Sequence, residues 1–213
     1  FCGAVIFDQL FWILGWELFI RALHQAKEQI RSLMDKFTFV EEVLARGWSE
    51  FDAPAYMYGD DIAYKHGLMI SPKFLREEWL PRVKKVIYPV KRKGMKALFH
   101  SDGNIWDFID DLIEAGFEGI NSLEPIAGMD IGKVKAKHGD KLVLLGGIDC
   151  SQLLPLGSPQ DVKRSVIQAI REGAPGSGYC LGSSSEIRPG TPLINVVTMF
   201  KTAAKYGRYT KHK

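Results

Sequence analysis

Short apolar runs alternate along this chain with longer stretches whose apolar positions recur every three or four residues. The short runs lie at residues 2–7, 55–58, 97–100, 119–123, 142–146 and 178–181. Several are apolar throughout, the pattern of parallel strands covered on both faces. Between them the periodicity predicts helices. Residues 104–115 form one, with Gly116 as its stop. Ser158 and Pro159 supply an N-cap and a first-turn proline for a helix running to Glu172, with Val162, Val166, Ile167 and Ile170 on one face. Ser71 and Pro72 give the same start signal, and Pro81 further along predicts a kink or a split. Trp12, Trp16 and Phe19 fall at helical spacing and read as core.

Alternation of this kind predicts an α/β fold of βαβ units on a parallel sheet. About six units of roughly 30 to 40 residues fit the chain. No linker-like tract interrupts them, so a single domain is expected over residues 1–213. A (β/α) barrel and a doubly wound sheet both suit the repeated order of strand, polar turn and helix. An eight-unit barrel takes about 250 residues, two units more than are found. The chain starts at Phe1, directly on an apolar run and without a methionine, which predicts a start inside a larger protein.

Composition narrows the class. With 46% apolar and 25% charged residues, the chain can bury enough surface to offset its ordering entropy, which excludes disorder. A net charge of +3 is too small to point to nucleic acid, and the basic runs at 84–85, 91–93 and 208–213 read as solvated faces or a tail. The most apolar stretch, residues 10–20, contains Glu17, is flanked by Asp8 and Arg21, and is too short for a bilayer. No secretory leader is visible, so no membrane role is expected. Cys2, Cys150 and Cys180 form neither a close ligand pair nor an even-numbered framework, so a reducing cytoplasm is the expected setting.

Polar residues collect after the strands. Asp60 and Asp61 follow the second, His100, Ser101 and Asp102 the third, Glu124 the fourth, Asp149 the fifth, and Ser185 and Arg188 the last. In α/β folds the carboxyl ends of parallel strands share one rim, where reacting groups gather. His100 and Asp102, two apart, would point the same way, and the carboxylate would poise the imidazole for proton transfer. With Asp60 they are the catalytic candidates. Asp61, Glu124, Asp149, Ser185 and Arg188 are the substrate-binding candidates, Arg188 as a carboxylate clamp. Each acid has a second reading as the N-cap of the next helix. His100, Asp102 and Glu124 also make a hard donor set for Mg²⁺, Mn²⁺ or Zn²⁺. The glycine-rich segment 173–178 precedes a strand and reads as a tight turn, not a phosphate cradle. His24, His138 and His212 are given no role, and His66 lies on a loop near the same rim.

The segments GDDIAYKHGLMISPKFLREEWLPRVKKV, FHSDG, LVLLGGIDCSQLLPLGSPQDV and GSSSEIRPGTPLINVVTMF occur in this order. Through them the chain resembles the uroporphyrinogen decarboxylase superfamily, which includes cobalamin-dependent methyltransferases, from Tyr58 to Tyr206. They look like its strand-four, -five, -seven and -eight signatures, and residues 11–23 are similar to the preceding unit. The resemblance implies a (β/α)8 barrel of TIM type, incomplete here because the first two of eight units are missing. An unclosed barrel leaves sheet edges bare, so poor solubility or self-association is expected of the chain alone.

The resemblance also implies activities. One is a cofactor-free lyase that decarboxylates a carboxylate-bearing small molecule such as a tetrapyrrole, working as a possible homodimer. The substrate-binding arginines and aspartate of such lyases lie in the N-terminal part that this chain lacks. Their catalytic tyrosine has no clear counterpart near residues 11–16, and their late histidine falls on Ser185. The alternative is methyl transfer with a divalent metal, zinc, and a corrinoid protein as partner. In that branch the zinc motif is His-x-Cys with a later cysteine; His100 matches the first ligand, while Asp102 and Ser185 replace the two thiols. A third reading is an inactive fragment.

Overall fold

The computed structural model describes residues 6–209. The strand expected at residues 2–7 lies outside them except for Ile6 and Phe7, and Phe7 opens a helix. Five of the six expected strands are present, each within two residues of its predicted bounds. Parallel strands followed by helices give an α/β fold of (β/α)-barrel type, with five parallel strands among the described residues. No helix among them is long and apolar enough to cross a membrane. The chain divides into two compact units. One holds the described residues up to Ser101 together with Ile105–Glu118, and the other holds Asp102–Asn104 with the described residues from Gly119 onward.

The first unit opens with α1 (Phe7–Leu14), α2 (Trp16–Gln25) and α3 (Lys27–Trp48). Gly15, at φ +73, breaks the first two apart. The expectation that Trp12 and Trp16 join Phe19 in the core is corrected by this break. The two tryptophans lie on different helices and are 63% and 44% exposed, while Phe19 is buried. Next come β1 (Ala55–Gly59), the antiparallel hairpin β2 (Ala63–Tyr64) and β3 (Gly67–Leu68), and a helical run of α4 (Pro72–Phe74), a π-type turn at Leu75–Trp79 and α5 (Leu80–Arg92). The wide turn falls just before Pro81, whose missing N–H cannot sustain regular α-helical bonding. The run splits where the sequence predicts it.

Strand β4 (Lys96–His100) pairs in parallel with β1, from Ala55 opposite Lys96 to Gly59 opposite His100, and α6 (Ile109–Ala115) follows. Side chains of Tyr58, Trp79, Phe99, Phe108 and Phe117 pack as a buried aromatic cluster with centroids 5.3 to 6.3 Å apart. Offset and edge-on pairs of this kind add stability beyond the area they bury. Ion pairs tie α3 to the helical run, Arg31 to Glu78 at 2.5 Å and Asp35 to Arg82 at 2.8 Å, and Arg82 also pairs with Glu78 within the run at 3.3 Å. The Arg31 guanidinium chiefly holds the Glu78 carboxyl below its ordinary range.

In the second unit β5 (Gly119–Ser122), α7 (Ile131–His138), β6 (Val143–Ile148), α8 (Leu153–Leu156), α9 (Pro159–Gly173), β7 (Tyr179–Ser183) and α10 (Leu193–Tyr206) follow one another. The strands pair in parallel in the order β5, β6, β7. A reciprocal cap starts α9: Ser158 Oγ accepts from Asp161 N, and Asp161 Oδ2 accepts from Ser158 N at 3.0 Å. This satisfies two otherwise orphaned donors. Val162, Val166 and Ala169 then face inward. The glycine-rich segment after α9 forms the turn that leads into β7.

Candidate active site

In the first unit the carboxyl ends of β1 and β4 lie side by side, with Gly59 opposite His100. Three hydrogen bonds fix the loop that leaves β1. Asp60 N donates to His100 O at 3.0 Å, Asp61 N to Asp8 Oδ1 at 3.1 Å, and Ile62 N to Ser101 Oγ at 3.1 Å. With its backbone held this way, the Asp61 carboxylate stands 4.0 Å from His100 Nε2, and both side chains are partly exposed, at 39% and 21%. The separation is too long for a direct hydrogen bond. An anion beside a solvent-reachable imidazole can hold a proton and release it to a bound molecule.

The hairpin that follows Asp61 leads to a cleft. Met69 N donates to Ile62 O at 2.9 Å. Met69 and Ile70 line a cavity of about 560 Å³ together with Ile20, Leu23 and Lys27. Its lining mixes apolar side chains with Lys27, Arg31 and Lys73 and with the carboxylates of Glu77 and Glu78.

Asp60 has a different fate from the one expected at a site mouth. It is fully buried and accepts from five donors: the backbone N–H groups of Ile6, Phe7 and Asp8, Tyr58 Oη at 2.9 Å and Trp79 Nε1 at 2.7 Å. The three backbone donors belong to the first turn of α1, where unpaired N–H groups and the helix dipole favour an anion. Burial pushes its carboxyl up, and these donors pull against that. The geometry suits Asp60 to holding the fold, away from substrate.

Glu41 of α3 feels this buried carboxylate. Desolvation first, and repulsion from Asp60 second, push its pKa up to about 7. Its ordinary value is near 4.3, so the unfolded chain releases this proton earlier than the folded one. Folding stability is therefore complete below about pH 4.5, falls as pH rises and levels off above about 7. Glu41→Gln should remove this loss and raise stability at pH 8 by on the order of 1 kcal/mol, a figure reduced for the carboxyl's partial exposure. Denaturant titrations of both proteins at pH 4 and pH 8 check it; an equal gap at the two values would show that folding does not raise the Glu41 carboxyl.

In the second unit the turn Asp102–Asn104 is fastened to the segment after β5. Ser122 Oγ donates to Asp102 Oδ1 at 2.9 Å, Gly103 N to Glu124 Oε2 at 2.7 Å, and Asn104 Nδ2 to Ala127 O at 2.9 Å. Glu124 thus has a backbone partner, and Asp102 stays partly exposed. Asp149 takes the capping alternative: its oxygens accept from the N–H groups of Ser151, Gln152 and Leu153 at 2.8 to 3.1 Å as the chain turns into α8. Ser185 Oγ donates to Glu186 Oε2 at 2.8 Å, and Arg188 is exposed on the same loop.

The sequence shows Ser101 after the third strand without assigning it a role, and marks no role for Ser122, Tyr58 or Trp79. Tyr58 was within reach, since it stands two residues before Asp60 on the same strand face. Nothing local marks Trp79, which comes to Asp60 through tertiary packing.

Residues 11–206 match the family model described as Uroporphyrinogen decarboxylase (URO-D). The uroporphyrinogen decarboxylase of Coxiella burnetii, matched in three strains, is 22% identical over 189 residues, which cover 86% of this chain and 49% of that protein. The chain therefore spans about half the length of the curated relatives it matches. A solved methyltransferase from Methanosarcina mazei superposes with a TM-score of 0.74 at 22% identity, covering 90% of this chain and 54% of the other.

Proposed function

The chain belongs to the uroporphyrinogen decarboxylase family, and we propose that it acts as a lyase that removes CO₂ from a carboxylate-bearing substrate by acid–base chemistry. The observation that carries this reading is Asp61 beside His100 at the paired ends of β1 and β4. When CO₂ leaves, its bonding electrons stay on carbon, and a proton must reach that carbon. His100 supplies the proton, and Asp61 stabilises the imidazolium until transfer. A proton added to the substrate beforehand gives a cation that draws in these electrons as CO₂ leaves, and Asp102, on the turn after His100, is assigned to stabilising that positive charge until they neutralise it. Lys27 and Lys73, among the residues that line the cleft, are assigned to the carboxylates of such a substrate. A reducing cytoplasm would suit its free thiols, Cys150 and Cys180.

Zinc chemistry of the methyltransferase branch fits the donor set poorly. By the resemblance, Asp102 and Ser185 take the places of that branch's thiolates, and hard oxygens do not tune zinc for thiol activation. Cys150 is buried and takes a hydrogen bond from Ser184 Oγ at 3.4 Å.

The test is CO₂ release from uroporphyrinogen by the purified chain. His100→Ala should lower kcat about 100-fold and Asp61→Asn about tenfold, both with little change in melting temperature. Undiminished release by His100→Ala would remove the assignment of the proton donor. Methyl transfer from a methylated corrinoid to a thiol, without CO₂ release, would replace the lyase reading altogether.

A further inference from the structure

We propose that Ser122 is a positioning residue that holds the Asp102 carboxylate in its working orientation, an inference that rests on the reading of Asp102 as a residue of the chemistry. Ser122 ends β5 and is wholly buried. Its backbone lies at φ +95, and Leu123 follows at +48, a region that residues with side chains seldom occupy. Across the sheet it faces Gly146 of β6. A Cβ at residue 146 would stand 2.4 Å from the Ser122 carbonyl oxygen. The neighbouring strand thus lacks a side chain at the point where Ser122 turns.

A glycine at 122 would adopt this backbone without strain. The chain carries a hydroxyl there instead, and that hydroxyl donates to Asp102 Oδ1 at 2.9 Å. Strain that the surrounding structure over-determines marks places where geometry serves function. The bonds from Gly103 to Glu124 and from Asn104 to Ala127 hold the two residues after Asp102, whereas the Ser122 bond reaches the carboxylate itself.

Two variants of the 213-residue chain separate the roles. Ser122→Ala keeps the strain and removes the donor; Ser122→Gly removes both and folds more readily. In crystal structures of the variants the Asp102 carboxylate is expected to leave its wild-type rotamer, or to divide between two, while the Gly103 and Asn104 bonds persist. Ser122→Gly should melt above Ser122→Ala, yet both should lose CO₂ release from uroporphyrinogen at least about tenfold with KM nearly constant. Ser122→Ala should add no further loss in an Asp102→Asn background. An unmoved Asp102 rotamer in both variants overturns the proposal, and so does an additive loss in the double variant. A wild-type chain that releases no CO₂ fails the functional reading instead, and the rotamer comparison then decides positioning by itself.

Discussion

Asp60→Ala should destabilise the first unit by on the order of 4 kcal/mol, enough to leave much of the protein unfolded at 37 °C. The side chain gathers five donors in a place water does not reach. Truncation would leave the first turn of α1, the Tyr58 hydroxyl and the Trp79 indole without their acceptor at once. Each buried orphan costs roughly 1 to 3 kcal/mol, and relaxation recovers part of the sum. Asp60→Asn keeps the shape but presents an NH₂ to donors that need an oxygen, so its loss should be intermediate. Urea unfolding followed by tryptophan fluorescence is the measurement. A stability within about 1 kcal/mol of wild type would mean that water or a neighbour replaces the carboxylate, and Asp60 would again be a candidate for the chemistry.

The second large effect is expected at Gly146→Ala. Its φ of +98 disfavours any side chain, and the added Cβ would stand 2.4 Å from the Ser122 carbonyl oxygen. That obstacle is strand backbone, bound by the sheet register, and it cannot swing aside as a flexible side chain would. Backbone strain plus overpacking should cost about 3 kcal/mol or more. Gly176→Ala provides the control, since its φ is +75 but nothing lies within 4 Å of the new atom. Its cost should be strain alone, about 1 kcal/mol. Thermal melts of the two variants give the contact contribution by difference, and equal losses would show that the strands simply spread.

Lesser effects follow from the same arrangement. The Glu41 response to pH and the Ser122 hold on Asp102 both depend on carboxylates whose surroundings are set by backbone placement. In each case a residue with no chemistry of its own, α1's first turn for Asp60 or the bent end of β5 for Asp102, fixes where charge can sit.

Much of the architecture was legible in residue order alone. Continuous apolar runs located five strands because covered strands exclude polar groups along their length. Ser158 with Pro159 located the start of α9 because capping involves only neighbours on the chain, and Pro81 marked the split before α5 for the same local reason. His100 and the acids after the strands were legible one by one, since each directly follows an apolar run in the sequence. What each acid does was decided in three dimensions. Asp60 and Asp61 are adjacent and chemically identical, yet one is sealed beneath α1 and the other is 39% exposed beside His100. Asp149 caps a turn, and Ser122 holds Asp102 from across 20 residues of chain. Strand and helix periodicities report only which side a residue faces. Whether that side meets water, a helix end or another carboxylate depends on segments far away in sequence, and only their packing settles it.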